Sequence, residues 1–296
     1  RLLILNLKSQ KKRKLFKLVI DFHTHIFPDS LAKKALEKLI QNLRSQEPDA
    51  DPNAPYTDAT AAGLAASAKA AGIDICVVMP IATSTKPSLT LNNFAAQVDK
   101  LPGLRSFGSV HPNYDGALEE LEIIKELGLR GIKLHPEYQG SNPDSNETIE
   151  LVRKAAELDL WVLFHAGVDI GLPAPVHGTP ARFARLREAV PEAKIILAHM
   201  GGFRMWQEVE DAYKSLSFYI DTSFSLDVHP EEGDRFARII RLIGADHVLF
   251  GSDSPWADQK KALQLTGSFL SQHGFTKQEC DAILGGNAAK VLGLEF

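Results

Sequence analysis

A closed (β/α)8 TIM barrel of the α/β class, with an insertion after its first strand, is the fold predicted by two features of this 296-residue chain. Eight short apolar runs recur from residue 19 onward, each of the near-continuous kind that a parallel sheet buries on both faces. Amphipathic stretches separate them, so strands alternate with helices and right-handed crossovers join successive strands. Such a barrel takes roughly 250 residues, which leaves room for extra loops. An open doubly wound sheet would usually carry a G-x-G-x-x-G turn after an early strand, and none of these runs is followed by one.

The first strand spans residues 19–25, Val-Ile-Asp-Phe-His-Thr-His. The insertion follows at about residues 29–58. Residues 31–43 read as a helix with Leu31, Ala35, Leu36, Leu39, Ile40 and Leu43 on one side. Residues 46–58 carry Pro48, Pro52 and Pro55 among Asp49, Asp51, Asn53 and Asp58, which is loop chemistry. A segment placed there projects over the barrel mouth, so it reads as a lid, as a homodimer contact, or as a surface excursion without a role. An alanine-rich helix over 59–71 leads into the second strand at 75–80. The third strand is read at 106–112, ending in His111, and a helix over 116–127 brings Leu118, Leu121, Ile124 and Leu127 into phase. The fourth strand, 131–136, ends Gly-Ile-Lys-Leu-His-Pro and carries Lys133 and His135. A helix over 148–158 has Asn146, followed by Glu147, as its cap. Strands five to eight lie within 160–167, 194–202, 218–223 and 248–256 and carry His165, His199, Asp221 and Asp253 at their ends.

Composition narrows the function classes. Hydrophobic content of 44% and charged content of 24% suit a globular enzyme domain. The net charge of −4 is uneven: residues 1–18 hold Arg1, Lys8, Lys11, Lys12, Arg13, Lys14 and Lys17 and no acid, a +7 segment that leaves −11 on the remainder. That acidic body, residues 19–296, reads as one domain and argues against a nucleic-acid surface. The basic leader reads as a solvated, poorly ordered extension. No run reaches the ~18 to 20 apolar residues of a membrane span. Cys76 and Cys280 have no Cys-x-x-Cys partner, which fits a reducing, cytoplasmic compartment.

In such barrels catalytic groups sit at the C-terminal ends of strands, where each of the polar residues above lies. Alternate side chains of a strand share a face, so His23 and His25 point the same way with Asp21 behind them, and two imidazoles can chelate one cation. Closure places the first strand beside the eighth, so Asp253 can reach the same ion. Burying several imidazoles and an aspartate at one mouth without a cation or partners would be costly.

The motifs Asp-Phe-His-Thr-His, Gly-Ile-Lys-Leu-His-Pro, Phe-His-Ala-Gly, Ala-His-Met-Gly-Gly, Tyr-Ile-Asp-Thr-Ser, Phe-Gly-Ser-Asp-Ser-Pro-Trp and Ile-Leu-Gly-Gly-Asn-Ala-Ala-Lys-Val-Leu-Gly-Leu together resemble the amidohydrolase superfamily. Within it they look like the branch that contains aminocarboxymuconate-semialdehyde decarboxylase, over about residues 19–296. The resemblance implies a single divalent metal, usually zinc and in some members manganese, held by His23, His25, His165 and Asp253. It also implies that His199 holds or deprotonates the water and that Asp253 carries a proton to the leaving group. In binuclear members a lysine at a middle strand end is carbamylated and bridges two ions; here Lys133 is the candidate, so one ion is preferred and two are admitted. Lys133 otherwise reads as a cation facing a substrate carboxylate or oxyanion, or as a buried lysine paired with Asp21 or Asp221. His135 shares its face, and Asp221 is read as a brace for His199 or Lys133. His111, Arg204 and Trp256 are candidate substrate contacts, each with a plain structural alternative. Asp169, His177 and Arg182 complete the loop candidates.

Two reactions fit this reading: hydrolysis of an amide, ester or lactone bond in a small anionic molecule, or non-oxidative decarboxylation of a small carboxylic acid at the same metal site. Arg204 and Arg182 are candidates for the carboxylate-binding arginine of a decarboxylase, but neither has a clear position, which tilts the reading modestly to hydrolysis. A metal-dependent deoxyribonuclease would carry a glutamate on the fourth strand, where Lys133 and His135 stand.

Overall fold

The computed structural model describes residues 18–48, 51 and 53–294. Among them are eight strands: β1 Ile20–Thr24, β2 Ile75–Val78, β3 Leu104–Ser106, β4 Gly131–Leu134, β5 Trp161–Phe164, β6 Lys194–Leu197, β7 Tyr219–Asp221 and β8 Val248–Leu249. Every ladder is parallel, running β1-β2-β3 and β4-β5-β6-β7-β8. Two bridges join these arcs into a closed barrel, Gly108 to Ile132 and Thr24 to Ser254. Backbone bonds flank each seam: Lys133 N donates to Gly108 O at 2.8 Å, and Phe22 N to Phe250 O at 2.8 Å.

The strands are shorter than the apolar runs that encode them, and each run leaves its ladder where its polar residues begin. The third departs most. Its ladder ends at Ser106 because the Asn92 side chain takes both backbone groups of Ser109, donating to its carbonyl at 2.9 Å and accepting from its amide at 2.9 Å. Side chains alternate as parallel strands require. Val162 and Phe164 of β5 join the layer under the helices, whereas Leu163 faces Ile196, Leu249, Phe22 and Phe107 inside the barrel.

The terminal helix Asn287–Leu292 seals the N-terminal end of the barrel, with Ala288, Val291 and Leu292 packed on that inner cluster. It approaches closely because Gly285 lacks a side chain: a Cβ there would stand 2.0 Å from Leu18 O. The opposite end stays open for a site.

Several local expectations shift. The insertion helix runs Asp29–Gln46, longer than expected, because neither glycine nor proline interrupts it before Pro48. It buries Ala32 and Leu36, while Leu31 is 54% exposed and off the packed side. In the helix Ala117–Glu126 the buried stripe is Ala117, Leu121 and Ile124, and Leu118 faces out. Ser145, not Asn146, caps the helix Asn146–Glu157, its hydroxyl accepting from Thr148 N. The helix Ala61–Ala71 starts after a Thr60 cap, since Ala59 adopts a left-handed φ of 53°. The basic leader, apart from Leu18, lies outside the described residues, as do Asp49, Ala50 and Pro52 of the insertion. No helix among the described residues is long and apolar enough to cross a membrane.

Candidate metal centre

The C-terminal mouth holds a deep cavity lined by His23, His25, Lys133, His135, His165, His199 and Asp253, walled by Phe27, Tyr56, Tyr138, Phe203, Phe224 and Trp256. His23, His25 and Asp253 converge: Asp253 Oδ1 lies 3.1 Å from His25 Nε2 and 3.7 Å from His23 Nε2. Ligand atoms around an ion with bonds of about 2.0–2.2 Å stand that far apart.

The opposite nitrogen of each ring is already committed. His23 Nδ1 donates to Asp221 Oδ2 at 2.8 Å, and His25 Nδ1 donates to Met79 O at 2.8 Å. With Nδ1 of each ring engaged, both Nε2 atoms face the Asp253 carboxylate, an arrangement that a cation between them would suit. The donor set of two imidazoles and one carboxylate thus fits a divalent ion with a coordination position left open to the cavity.

Backbone strain gathers at the same place. His199, Met200 and Asp253 have φ of 58°, 56° and 71°, left-handed values that cost a non-glycine residue roughly 1–2 kcal/mol. Asp253 is held there by its amide bond to His23 O at 2.8 Å and by Trp256 N, which donates to its carbonyl at 2.9 Å. β1 and β8 come together because Gly251 is bare: a Cβ there would stand 2.9 Å from His23 Cβ and 3.2 Å from Ser223 Cβ.

Asp221 is the organiser beneath the site. Besides His23 Nδ1, its carboxylate accepts from the amides of His199 and Ser223 at 3.0 Å each and from Ser223 Oγ. Burial opposes its ionisation, but the His23 imidazole and these donors hold it well below the usual carboxylate range. It braces the His23 ring and the His199 backbone, and is not paired with Lys133. Ser223, which the sequence reading left without a role, sits 3.1 Å from His23 Nδ1 and 3.0 Å from His199 Nδ1.

Asp21 does something else. A register shift in β1 between Asp21 and Thr24 breaks the simple alternation, and its carboxylate accepts from Ser252 N, Ser252 Oγ and Gln259 Nε2 at 2.6–2.8 Å. It touches neither imidazole, and burial raises its pKa to about 6. Asp253, also buried, is instead held down to about 2 by the His25 contact and the surrounding imidazoles.

Lys133 is 1% exposed, and its Nζ lies 3.1 Å from His23 Nε2. Among the described residues it has no carboxylate within ion-pair distance, so it pairs with neither Asp21 nor Asp221. Burial lowers its pKa to about 8. Its charge adds to burial in pushing His23 down to about 4.

His165 is not grouped with the first three ligands. Its Nδ1 meets His199 Nε2 at 3.1 Å, its ring stacks on His135 at 4.1 Å, and its Nε2 is buried without a partner. His199 Nδ1 lies 3.0 Å from Ser223 O, and Trp206 Nε1 donates to the His199 carbonyl. His135 Nε2 lies 3.3 Å from Asp169 Oδ2, which takes Asp169 from the surface into the site.

The remaining candidates separate. Trp256 lines the cavity, as does Arg204 at the rim, where its guanidinium pairs with Glu47 of the insertion. His111 is buried but lies off the cavity, its Nδ1 accepting from Asn113 N at 3.1 Å. Arg182 faces Asp144 and the carbonyls of Val176 and His177, away from the cavity. Asp227 and Tyr138, unremarked in the sequence, do line it. Asp227 stands in a turn and Tyr138 in the one-turn helix Pro136–Gln139, too short for a periodicity that marks an inward face.

A closed barrel with clustered imidazoles and carboxylates at its open mouth defines a metal-dependent enzyme class. The chain belongs to the amidohydrolase family, whose profile, described as Amidohydrolase, matches residues 20–294. No curated protein sequence matches the chain. Among solved structures it is similar to 5-carboxyvanillate decarboxylase from Sphingomonas paucimobilis (17% identity, 94% of this chain and 99% of that one, TM-score 0.68). It is also similar to a dihydroxybenzoic acid decarboxylase from Polaromonas sp. with bound manganese and the inhibitor 2-nitroresorcinol (19%, 93% and 97%, TM-score 0.65). A third, a probable 2-pyrone-4,6-dicarboxylic acid hydrolase from Acinetobacter baumannii with citric acid bound, shows 17% identity over 93% and 99% of the two chains at TM-score 0.60. These likenesses establish the shared fold.

Proposed function

We propose that the protein is a metal-dependent hydrolase that cleaves an amide, ester or lactone bond of a small molecule. The observation that carries this reading is the convergence of His23, His25 and Asp253 beside a buried lysine that, among the described residues, has no acid at ion-pair distance. Zinc is the proposed ion and manganese the alternative, both compatible with imidazole and carboxylate donors. Bound there, a divalent ion supplies Lewis acidity and lowers the pKa of water from 15.7 to about 7.

The chain's own residues supply the rest. Lys133 Nζ donates to charge developing on the carbonyl oxygen. Asp253, whose Oδ1 faces the ion, takes a proton from water on its other carboxylate oxygen and passes it to the leaving group, its low pKa keeping it ionised beforehand. His199, with Nδ1 held at Ser223 O and Nε2 3.1 Å from His165 Nδ1, orients the His165 ring at the cavity. Phe203, Phe224 and Trp256 restrict water. The insertion acts as a lid: Leu39 and Leu43 line the cavity, and Glu47 fastens it to Arg204 across the rim.

Decarboxylation is the second reading, supported by the names of two of the solved structures above. Lys133 would then face the departing carboxylate. The pairing of Arg204 with Glu47 counts against it, since it leaves that guanidinium without free charge for a substrate acid.

Isotope labelling of turnover by zinc- and manganese-loaded enzyme separates the two. The panel is phenyl esters, aryl amides, lactones and hydroxybenzoic acids. Hydrolysis places one solvent 18O in the product carboxyl group. Release of carbon dioxide with one solvent deuterium on the ring carbon would replace the hydrolase reading by the lyase reading.

A further inference from the structure

One acid of the cavity has no partner. Asp227 lines it from the turn after β7, half-buried beside the exposed Val228. Among the described residues its carboxylate takes only its own backbone amide and has no cation at ion-pair distance. The other acids lining the cavity are engaged. Glu47 pairs with Arg204, Asp51 accepts from Tyr56 Oη and Asn53 N, and Asp258 caps the helix Gln259–Gln272 by accepting from Lys261 N at 2.7 Å. Asp169 meets Gly171 N and His135, and Asp253 meets His25.

We infer that Asp227 is a specificity-determining residue that binds a primary ammonium group carried by the substrate at the end remote from the bond to be cleaved. This rests on the hydrolase reading above and narrows it: the substrate class is an amine-bearing ester or amide.

The turn holds the carboxylate in place. Ser225 O accepts from Val228 N at 3.3 Å and from His229 N at 2.8 Å, and Ser225 Oγ donates to Ser223 O at the end of β7. A group fixed in this way loses little freedom on binding. Phe224 belongs to the same turn and has a left-handed φ of 47°, a strained value of the kind that persists where the surroundings enforce it. Its ring lines the cavity with Trp256 and with Phe203, 5.7 Å away. Aromatic faces beside a carboxylate suit an ammonium on an apolar stem and disfavour an anion.

Charge divides the cavity. Lys133, 1% exposed, provides the cation at the inner end, where the carbonyl oxygen reacts, and half-buried Asp227 provides an unmatched anion further out. Burial raises the Asp227 pKa to about 6 and Asp253 pushes it the same way, while Lys261 and His229 lower it only through space. The carboxylate therefore stays mostly ionised at pH 7 and is partly desolvated without compensation. An arriving ammonium supplies the missing charge-assisted hydrogen bond.

The test is calorimetric titration of zinc-loaded full-length protein with two ligands of one shape, 4-methylbenzylammonium and 4-methylbenzyl alcohol. Wild type is expected to bind the ammonium roughly 10–100-fold more tightly, the gain of one hydrogen bond between charged groups. Asp227→Asn should lower that ratio by a similar factor. Asp227→Lys should reverse the order of the two ligands, which a misfolded chain could not do. Phenyl 4-(aminomethyl)benzoate and phenyl 4-(hydroxymethyl)benzoate then test turnover, and the preference for the first should appear in KM. Wild type that fails to bind the ammonium or binds both ligands equally would overturn the inference, as would a preference that survives Asp227→Asn. Absence of turnover of both esters, with the binding ratio and its loss in Asp227→Asn intact, would remove the hydrolase reading and support the ammonium site.

Discussion

Two clusters at one barrel mouth use the same donors, two histidines and an aspartate, yet differ in how their outer atoms are satisfied. At the junction of β1 and β8, His23 and His25 have their Nδ1 atoms committed to Asp221 and Met79 O, so both Nε2 atoms are directed inward. At the ends of β4 and β5, His165 Nε2 and Glu137 Oε2 are buried without partners, and His135 carries its proton on the side facing Asp169. Ligand identity alone does not make a site ready. Readiness comes from the groups behind the ligands, which decide where the lone pairs point.

The comparison breaks most sharply at the first cluster. His25→Ala and Asp253→Asn should each lower turnover on the order of a thousandfold or more, since a catalytic ion contributes several kcal/mol of charge stabilisation. Metal analysis should show that ion lost in His25→Ala; full metal content with full activity would refute the assignment. His199→Ala should lose turnover while keeping the ion, because it is not among the three converging ligands.

A step smaller, Asp221→Asn tests the bracing argument directly. It weakens the bond that fixes His23 and should reduce metal affinity roughly 10–100-fold, measured by zinc titration of the metal-free protein. Unchanged affinity would show that Asp221 does not brace His23 for the ion.

Gly251→Ala asks whether close approach of β1 and β8 sets the first cluster. A methyl 2.9 Å from His23 Cβ should destabilise the fold by about 1–3 kcal/mol in urea denaturation and displace His23. The smallest effect is expected for Arg204→Ala at the rim. Its pair with Glu47 is about a third exposed on each side, so stability should change by less than about 1 kcal/mol. KM should move more than kcat if the insertion works as a lid.

Much of this architecture is legible in the linear chain. The strand runs are strongly apolar and end in marked residues, so the barrel and its open end follow from local pattern. His23, His25, Lys133, His135, His165, His199 and Asp253 all lie at the mouth as their strand-end positions imply. The errors have local causes. Strict alternation puts Asp21 behind the histidines, and the shift in β1 interrupts it. Leu118 and Leu31 fit a helical period but lie beside, not on, the buried stripe. Asp169 reads as a surface loop acid because nothing in the loop's sequence shows that its carboxylate reaches His135.

The sequence by itself determined the order of strands and helices, the end of the barrel that carries the polar groups, and the family, because these rest on burial patterns and motifs within a few residues. Only the tertiary structure decided which acid serves which imidazole. His23 and Asp221 are 198 residues apart, and Ser252 and Gln259, which occupy Asp21, are 231 and 238 residues from it. Such pairings depend on ångström-scale placement of strand ends from opposite parts of the chain, set by barrel closure and by how closely backbones pass at Gly251, and no local pattern encodes that distance.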